Sequence, residues 1–130
     1  MTTFNGLIVL LARVLLSAIF IWSGWGKVAD IGGTAAYIAS SGLPTILAWP
    51  SAFFELIVGL FVLIGFQTKW AALALAFFSF VTAFLFHTGF ADPMQQINFF
   101  KNLAMTGGFL MLYAYPHNHY SIEAVWTEED

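Results

Sequence analysis

Four apolar stretches, at about 6–26, 46–66, 70–88 and 98–115, run through this chain of 130 residues and leave it one class of fold. A helix needs ~20 mostly apolar residues to cross the hydrocarbon core of a bilayer, and ~17 is the usual lower limit. Each stretch meets that limit. Charged residues make up only 8% of the chain and hydrophobic ones 60%, whereas an ordinary soluble domain carries about 25% charged residues. A water-soluble globule of this size has no means of hiding fifteen Phe and five Trp together with the Leu, Ile and Val runs. The expected fold is an all-α membrane protein, a four-transmembrane-helix antiparallel bundle over 1–116 with an acidic C-terminal tail at 117–130.

The first stretch reads as an uncleaved helix, because no Lys or Arg precedes Arg13 and the apolar core is longer than that of a signal peptide. Arg13 does not prevent insertion. A central Arg costs about 2.5–3.5 kcal/mol, and each Leu, Ile, Val or Phe returns about 0.3–0.6; Leu7 to Leu11, Val14 to Leu16 and Ile19 to Ile21 outweigh it. Gln67, Thr68 and Lys69 form a short turn that makes the second and third helices antiparallel neighbours. The longer link at 27–45 has room for a short interfacial helix at 34–39, and Gly89 to Ile97 joins the last two spans on the same side. An even number of spans puts both termini on one side. Loop charge is nearly balanced, with Lys69 on the terminal side and Lys27 on the other, and the expected orientation has cytoplasmic termini.

Ionisable groups within spans are expensive and normally face a bundle interior, a partner or a wet cavity. Each expected helix carries one: Arg13, Glu55, His87 and Lys101. That distribution suggests one shared interior site, with Arg13–Glu55 and Glu55–Lys101 as the conceivable ion pairs. Helical spacing supports inward stripes through Arg13, Ser17, Phe20, Gly24 and Lys27, and through Ser51, Glu55, Gly59 and Val62. Small residues on such stripes let helices approach closely in lipid. Each charge also has a plainer reading: Arg13 and Glu55 as a register-fixing pair, Lys27 and Lys101 as snorkelling side chains, His87 as a helix cap, and Trp22, Trp25, Trp49 and Trp70 as interface anchors.

Several function classes drop out. The net charge of −3 belongs to the tail, where Glu123, Glu128, Glu129 and Asp130 lie, and no basic cluster exists to hold nucleic acid. With no Cys, disulfides, thiol relays and Cys-ligated iron–sulfur clusters are excluded. His117-Asn118-His119 is a weak metal pattern, and no metal site is expected. A single His within the spans does not make a bis-His haem site, and neither a dinucleotide fingerprint nor a P-loop occurs.

Arg13 with Phe20 and Gly24-Trp25-Gly26-Lys27, Glu55 with Gly59 and Gly65, Phe86-His87, and Phe100-Lys101-Asn102 with Gly107-Gly108 give the chain a fairly specific pattern from Arg13 to about Leu112. In that order and spacing it resembles the DoxX family of small bacterial membrane proteins. The resemblance implies a multi-pass four-helix protein of the bacterial inner membrane. It also implies association with redox or oxidative-stress complexes, the family being named after a small subunit linked to a thiosulfate:quinone oxidoreductase. Most members have no assigned activity, so fold analogy does not stand in for a site.

A quinone site is physically sensible here. The ring needs donors for its carbonyls, a proton route, and apolar or aromatic walls. Glu55 and His87 are the expected proton-transfer groups, and Arg13, Trp22, Lys101 and Asn102 the expected ligand-binding residues, with Phe86 and Phe100 as walls. No haem, iron–sulfur or flavin signature is present, so electrons would come from a redox partner protein or a diffusible donor; the bilayer and a second copy of the chain are the other expected partners. The rival readings are a non-enzymatic structural or accessory subunit, and passage or sensing of a small solute.

Overall fold

The computed structural model describes residues 3–116 and 120–128, and the residues so described form helices and no strands. In chain order these are α1 (Thr3–Ala29), α2 (Ile31–Ser40), a 3-10 turn (Thr45–Leu47), α3 (Ala48–Ile64), α4 (Thr68–Phe86), α5 (Pro93–Ala114) and α6 (Ile122–Glu128). Three segments are long and apolar enough to cross a membrane: Thr3–Ala29, Thr45–Ile64 and Thr68–Phe86. The fourth expected span falls within α5. That helix has 22 residues, but Gln95, Gln96, Asn98, Lys101 and Asn102 make its first half more polar than the others.

Local chemistry explains the boundaries. Asp30 caps α2 by accepting from the Gly33 N–H at 3.1 Å, so the helical segment of the first link is longer than 34–39. Asp92 accepts from the Met94 N–H at 3.0 Å and Pro93 occupies the first turn, which starts α5 at Pro93 rather than near Asn98. An Asp-Pro pair reads as loop, yet it is also a helix-start signal. Gly65 ends α3 with φ +74, and the Phe66 N–H returns to the Phe61 carbonyl at 2.9 Å. This left-handed closure turns the chain directly into α4.

The core forms where small residues bring helices together. The buried stripe of α1 is Gly6, Arg13, Ser17, Phe20 and Gly24, and that of α3 is Ala48, Ala52, Glu55, Gly59 and Val62. A Cβ on Gly24 would lie 2.6 Å from the Leu56 backbone nitrogen, so only glycine permits this approach. The pairs Arg13 with Val62, Gly24 with Leu56 and Lys27 with Glu55 run in opposite order along the two helices. Phe20 crosses to the far side of the core, with ring centroids 6.2 Å from Phe78 and 5.5 Å from Phe109. Val62, Ala72, Leu75 and Phe109 fill the space between α3, α4 and α5.

Residues 120–128, within the expected acidic tail, fold back on the α3–α4 turn. The Glu123 Oε1 accepts from the Thr68 N–H at 2.7 Å, the Glu123 N–H donates to the Gly65 carbonyl at 3.3 Å, and the Phe66 and Trp126 rings meet edge-on at 5.6 Å. His117, Asn118, His119, Glu129 and Asp130 lie outside the described residues.

Candidate functional site

Two polar clusters occupy opposite ends of the α1–α3 pair. At one end, Lys27 in the last turn of α1 places its Nζ 2.6 Å from Glu55 Oε1. Glu55 is 4% exposed, while the Lys27 side chain is 30% exposed. A buried carboxylate is therefore neutralised by a cation that still reaches the outside of the fold. The same Nζ lies 5.8 Å from the Phe78 ring centroid, within cation–π range. Glu55 Oε2 is buried and has no hydrogen-bond partner among the described residues.

This pair forms part of the wall of a cavity of about 400 Å³ lined from α1 to α5. The volume is sufficient for a small organic ring, since ligand sites run from about 300 to 1,000 Å³. Ile19, Phe20, Leu43, Phe78, Val81 and Leu85 supply apolar walls, and Tyr37 and Phe86, stacked at 5.3 Å, close the side formed by α2 and α4. Three of the lining hydroxyls donate to backbone carbonyls nearby in sequence. Thr34 Oγ1 reaches the Asp30 carbonyl at 3.0 Å, Ser51 Oγ the Ala48 carbonyl at 3.1 Å, and Thr82 Oγ1 the Ser79 carbonyl at 3.1 Å. His87 ends α4, and its Nδ1 lies 2.9 Å from Gln95 Oε1. An amide oxygen only accepts, so with Gln95 in this orientation Nδ1 is the donor and Nε2 of the neutral ring is an acceptor.

At the other end, Arg13 is 1% exposed and donates to three carbonyls: Nε to Val62 at 3.0 Å, Nη2 to Leu63 at 2.8 Å and Nη1 to Tyr120 at 2.8 Å. Val62 and Leu63 belong to the last turn of α3, where unsatisfied carbonyls and the helix dipole favour a cation. No basic residue of α3 itself serves there. Arg13 thus fastens α1, the end of α3 and the segment before α6.

Of the expected proton-transfer and ligand-binding residues, Glu55, His87 and Asn102 line the cavity, and so does Phe86, one of the two expected walls. The others lie elsewhere. Arg13 stands fourteen residues before Lys27, about 21 Å along the helix at 1.5 Å per residue, and bonds to backbone instead of Glu55. Trp22 is 81% exposed on the outer face of α1. Lys101 is exposed, since it points to a different side of α5 from Asn102, and Phe100 is 62% exposed. The partner of Glu55 is Lys27, which the sequence reading treats as a snorkelling side chain. Its place on the Arg13–Gly24 stripe was the signal for it, as the spacing of Ser51 four residues before Glu55 was for that hydroxyl.

The family model described as DoxX matches residues 8–88, which include Arg13, Lys27, Glu55 and His87. The inner membrane protein YqjF of Escherichia coli K12 is 41% identical over 121 residues, covering 93% of this chain and 93% of that protein. The inner membrane protein YphA of the same organism is 33% identical over 112 residues, covering 81% of this chain and 80% of its own length. No solved structure gives a significant match. On a family match over more than half its length, supported by a relative that parallels it almost end to end, the chain belongs to the DoxX family.

Proposed function

We propose that the protein is a multi-pass component of the bacterial inner membrane that holds a small amphiphilic ring of the quinone class beside Lys27 and Glu55, and serves a redox or oxidative-stress complex through a partner protein. The observation that carries this reading is an ion pair on the wall of an otherwise largely apolar cavity of about 400 Å³. Lys27 and Asn102 have N–H groups suited to a ring carbonyl, Glu55 and His87 are suited to proton transfer, and Phe20, Phe78 and Phe86 suit the faces of the ring. The inner-membrane location follows the relatives' names. In this reading α5 is the fourth span of an antiparallel bundle with cytoplasmic termini; its 22 residues extend about 33 Å at 1.5 Å per residue, enough to cross.

A photoreactive quinone tests the reading. In lipid nanodiscs it is expected to label peptides from α1, α3 or α4 that line the cavity, with labelling suppressed by excess unreactive quinone and by Glu55→Gln. Labelling confined to outward-facing side chains, and not suppressed by competitor, would remove the quinone site.

A structural or accessory subunit is the second reading. It is favoured by Arg13, whose hydrogen bonds to Val62, Leu63 and Tyr120 fix helix packing away from the cavity beside Glu55.

A further inference from the structure

Several polar groups on the cavity wall offer a guest only lone pairs, while Lys27, Asn102, Ser23 and Tyr37 can also donate. Glu55 pairs with Lys27 at 2.6 Å as a carboxylate, and a carboxylate only accepts. One oxygen is occupied by that contact; Oε2, on a residue that is 4% exposed, has no protein donor among the described residues. The terminal torsion of a Glu side chain is broad, so the carboxylate can turn an oxygen towards a neighbour at little cost. Thr34, Ser51 and Thr82 use their hydroxyl protons on nearby backbone carbonyls and keep only lone pairs for a guest. A buried acceptor without a donor is costly, and more so when it carries charge.

We infer that the site selects ligands presenting a hydroxyl donor to Glu55, so that among amphiphilic rings it takes the phenolic or hydroquinone form in preference to the quinone. This rests on the cavity's being a ligand site. A quinone carbonyl beside the Glu55 oxygen that lacks a protein donor brings two acceptors together, and a donor such as Lys27 relieves the repulsion only by leaving that oxygen unsatisfied. A ring O–H in the same place completes the carboxylate's hydrogen bonding, and a charge-assisted bond of this kind is expected to favour the donor-bearing ring by roughly ten- to hundredfold. The preference is one of binding and requires no electron transfer.

The test uses the wild-type chain in nanodiscs, without oxygen, titrated calorimetrically with three rings sharing one short tail: the hydroquinone, its dimethyl ether and the quinone. Protein-free nanodiscs supply the partition background. The expected result is tightest binding by the hydroquinone, with the quinone and the ether weaker by that factor, and loss of the difference in Glu55→Gln. Folding of the variant is checked by thermal unfolding, and the wild-type comparison stands without it. Quinone binding as tight as that of the hydroquinone overturns the selection while leaving the cavity a ligand site. No binding above background by any ring overturns the ligand site and the inference with it.

Discussion

Lys27 Nζ and Glu55 Oε1, 2.6 Å apart, tie the last turn of α1 to the first half of α3. The two ends of that tie differ in their surroundings, because the carboxylate is buried while the Lys27 side chain is 30% exposed. Removing the cation strands a buried charge, and breaking a buried pair in this way costs about 3–5 kcal/mol. Since Lys27 keeps some access to the outside, Lys27→Met is expected near the lower end of that range. Glu55→Gln is expected to cost less, as it leaves no buried charge behind. Thermal unfolding of both variants in the same detergent checks the order, and equal losses would contradict it.

Close approach of α1 and α3 depends on Gly24, where an added Cβ meets the Leu56 backbone nitrogen at 2.6 Å. Backbone cannot swing aside as a flexible side chain can. Gly24→Val is expected to destabilise by about 1–3 kcal/mol through overpacking, and to move Lys27 away from Glu55. A stability change within about 0.5 kcal/mol, as at an ordinary surface position, would show that the helices are not closely packed there.

Arg13→Met leaves the carbonyls of Val62, Leu63 and Tyr120 without their guanidinium partner. A lost partner for a buried acceptor costs about 1–3 kcal/mol. Arg13→Lys is expected to recover only part of the loss, because a single ammonium does not reproduce a planar fork. Faster hydrogen exchange at Glu123 and Val125 is the expected signature, with the cavity end of α3 unchanged.

The same segment is held from its other side by Gly65, whose φ of +74 disfavours any side chain and whose added Cβ would collide with Ser121. Gly65→Ala is therefore expected to release α6 and to increase protease cleavage between α5 and α6. If cleavage rates match the wild type, docking of α6 does not pass through this glycine.

Because the chain contains no cysteine, single substitutions report topology cleanly. With four spans, Lys69→Cys and Asp92→Cys are expected to react with a membrane-impermeant maleimide from opposite sides of the membrane. Reaction from one side only would take α4 out of the count of crossing helices.

The apolar runs made the α1, α3 and α4 segments legible in the sequence, because a spanning length of hydrophobic residues has few alternatives. The stripes through Arg13 and Glu55 were legible as well, and Ser17, Phe20, Gly24, Gly59 and Val62 all fall on buried faces. Depth was harder to read. Helical spacing assigns a side chain to a face but not to a partner, so Arg13, Glu55, His87 and Lys101 looked like one cluster when only Glu55 and His87 share a cavity. Backbone partners left still less trace. Nothing in the order of residues signals that the Arg13 guanidinium is satisfied by carbonyls at the end of α3 and by Tyr120, or that Glu123 bonds to the α3–α4 turn.

The fastening of Arg13 to Tyr120 also bears on how the chain is made. Ribosomes deliver the first helix while almost everything that later shelters its guanidinium is still unwritten. Until Val62 and Leu63 emerge, that cation leans towards lipid head groups or water, and its third carbonyl waits for Tyr120. Final tightening of α1 is thereby postponed until Tyr120 has been made, and a nascent chain stopped short of it would hold that helix more loosely than one that includes it.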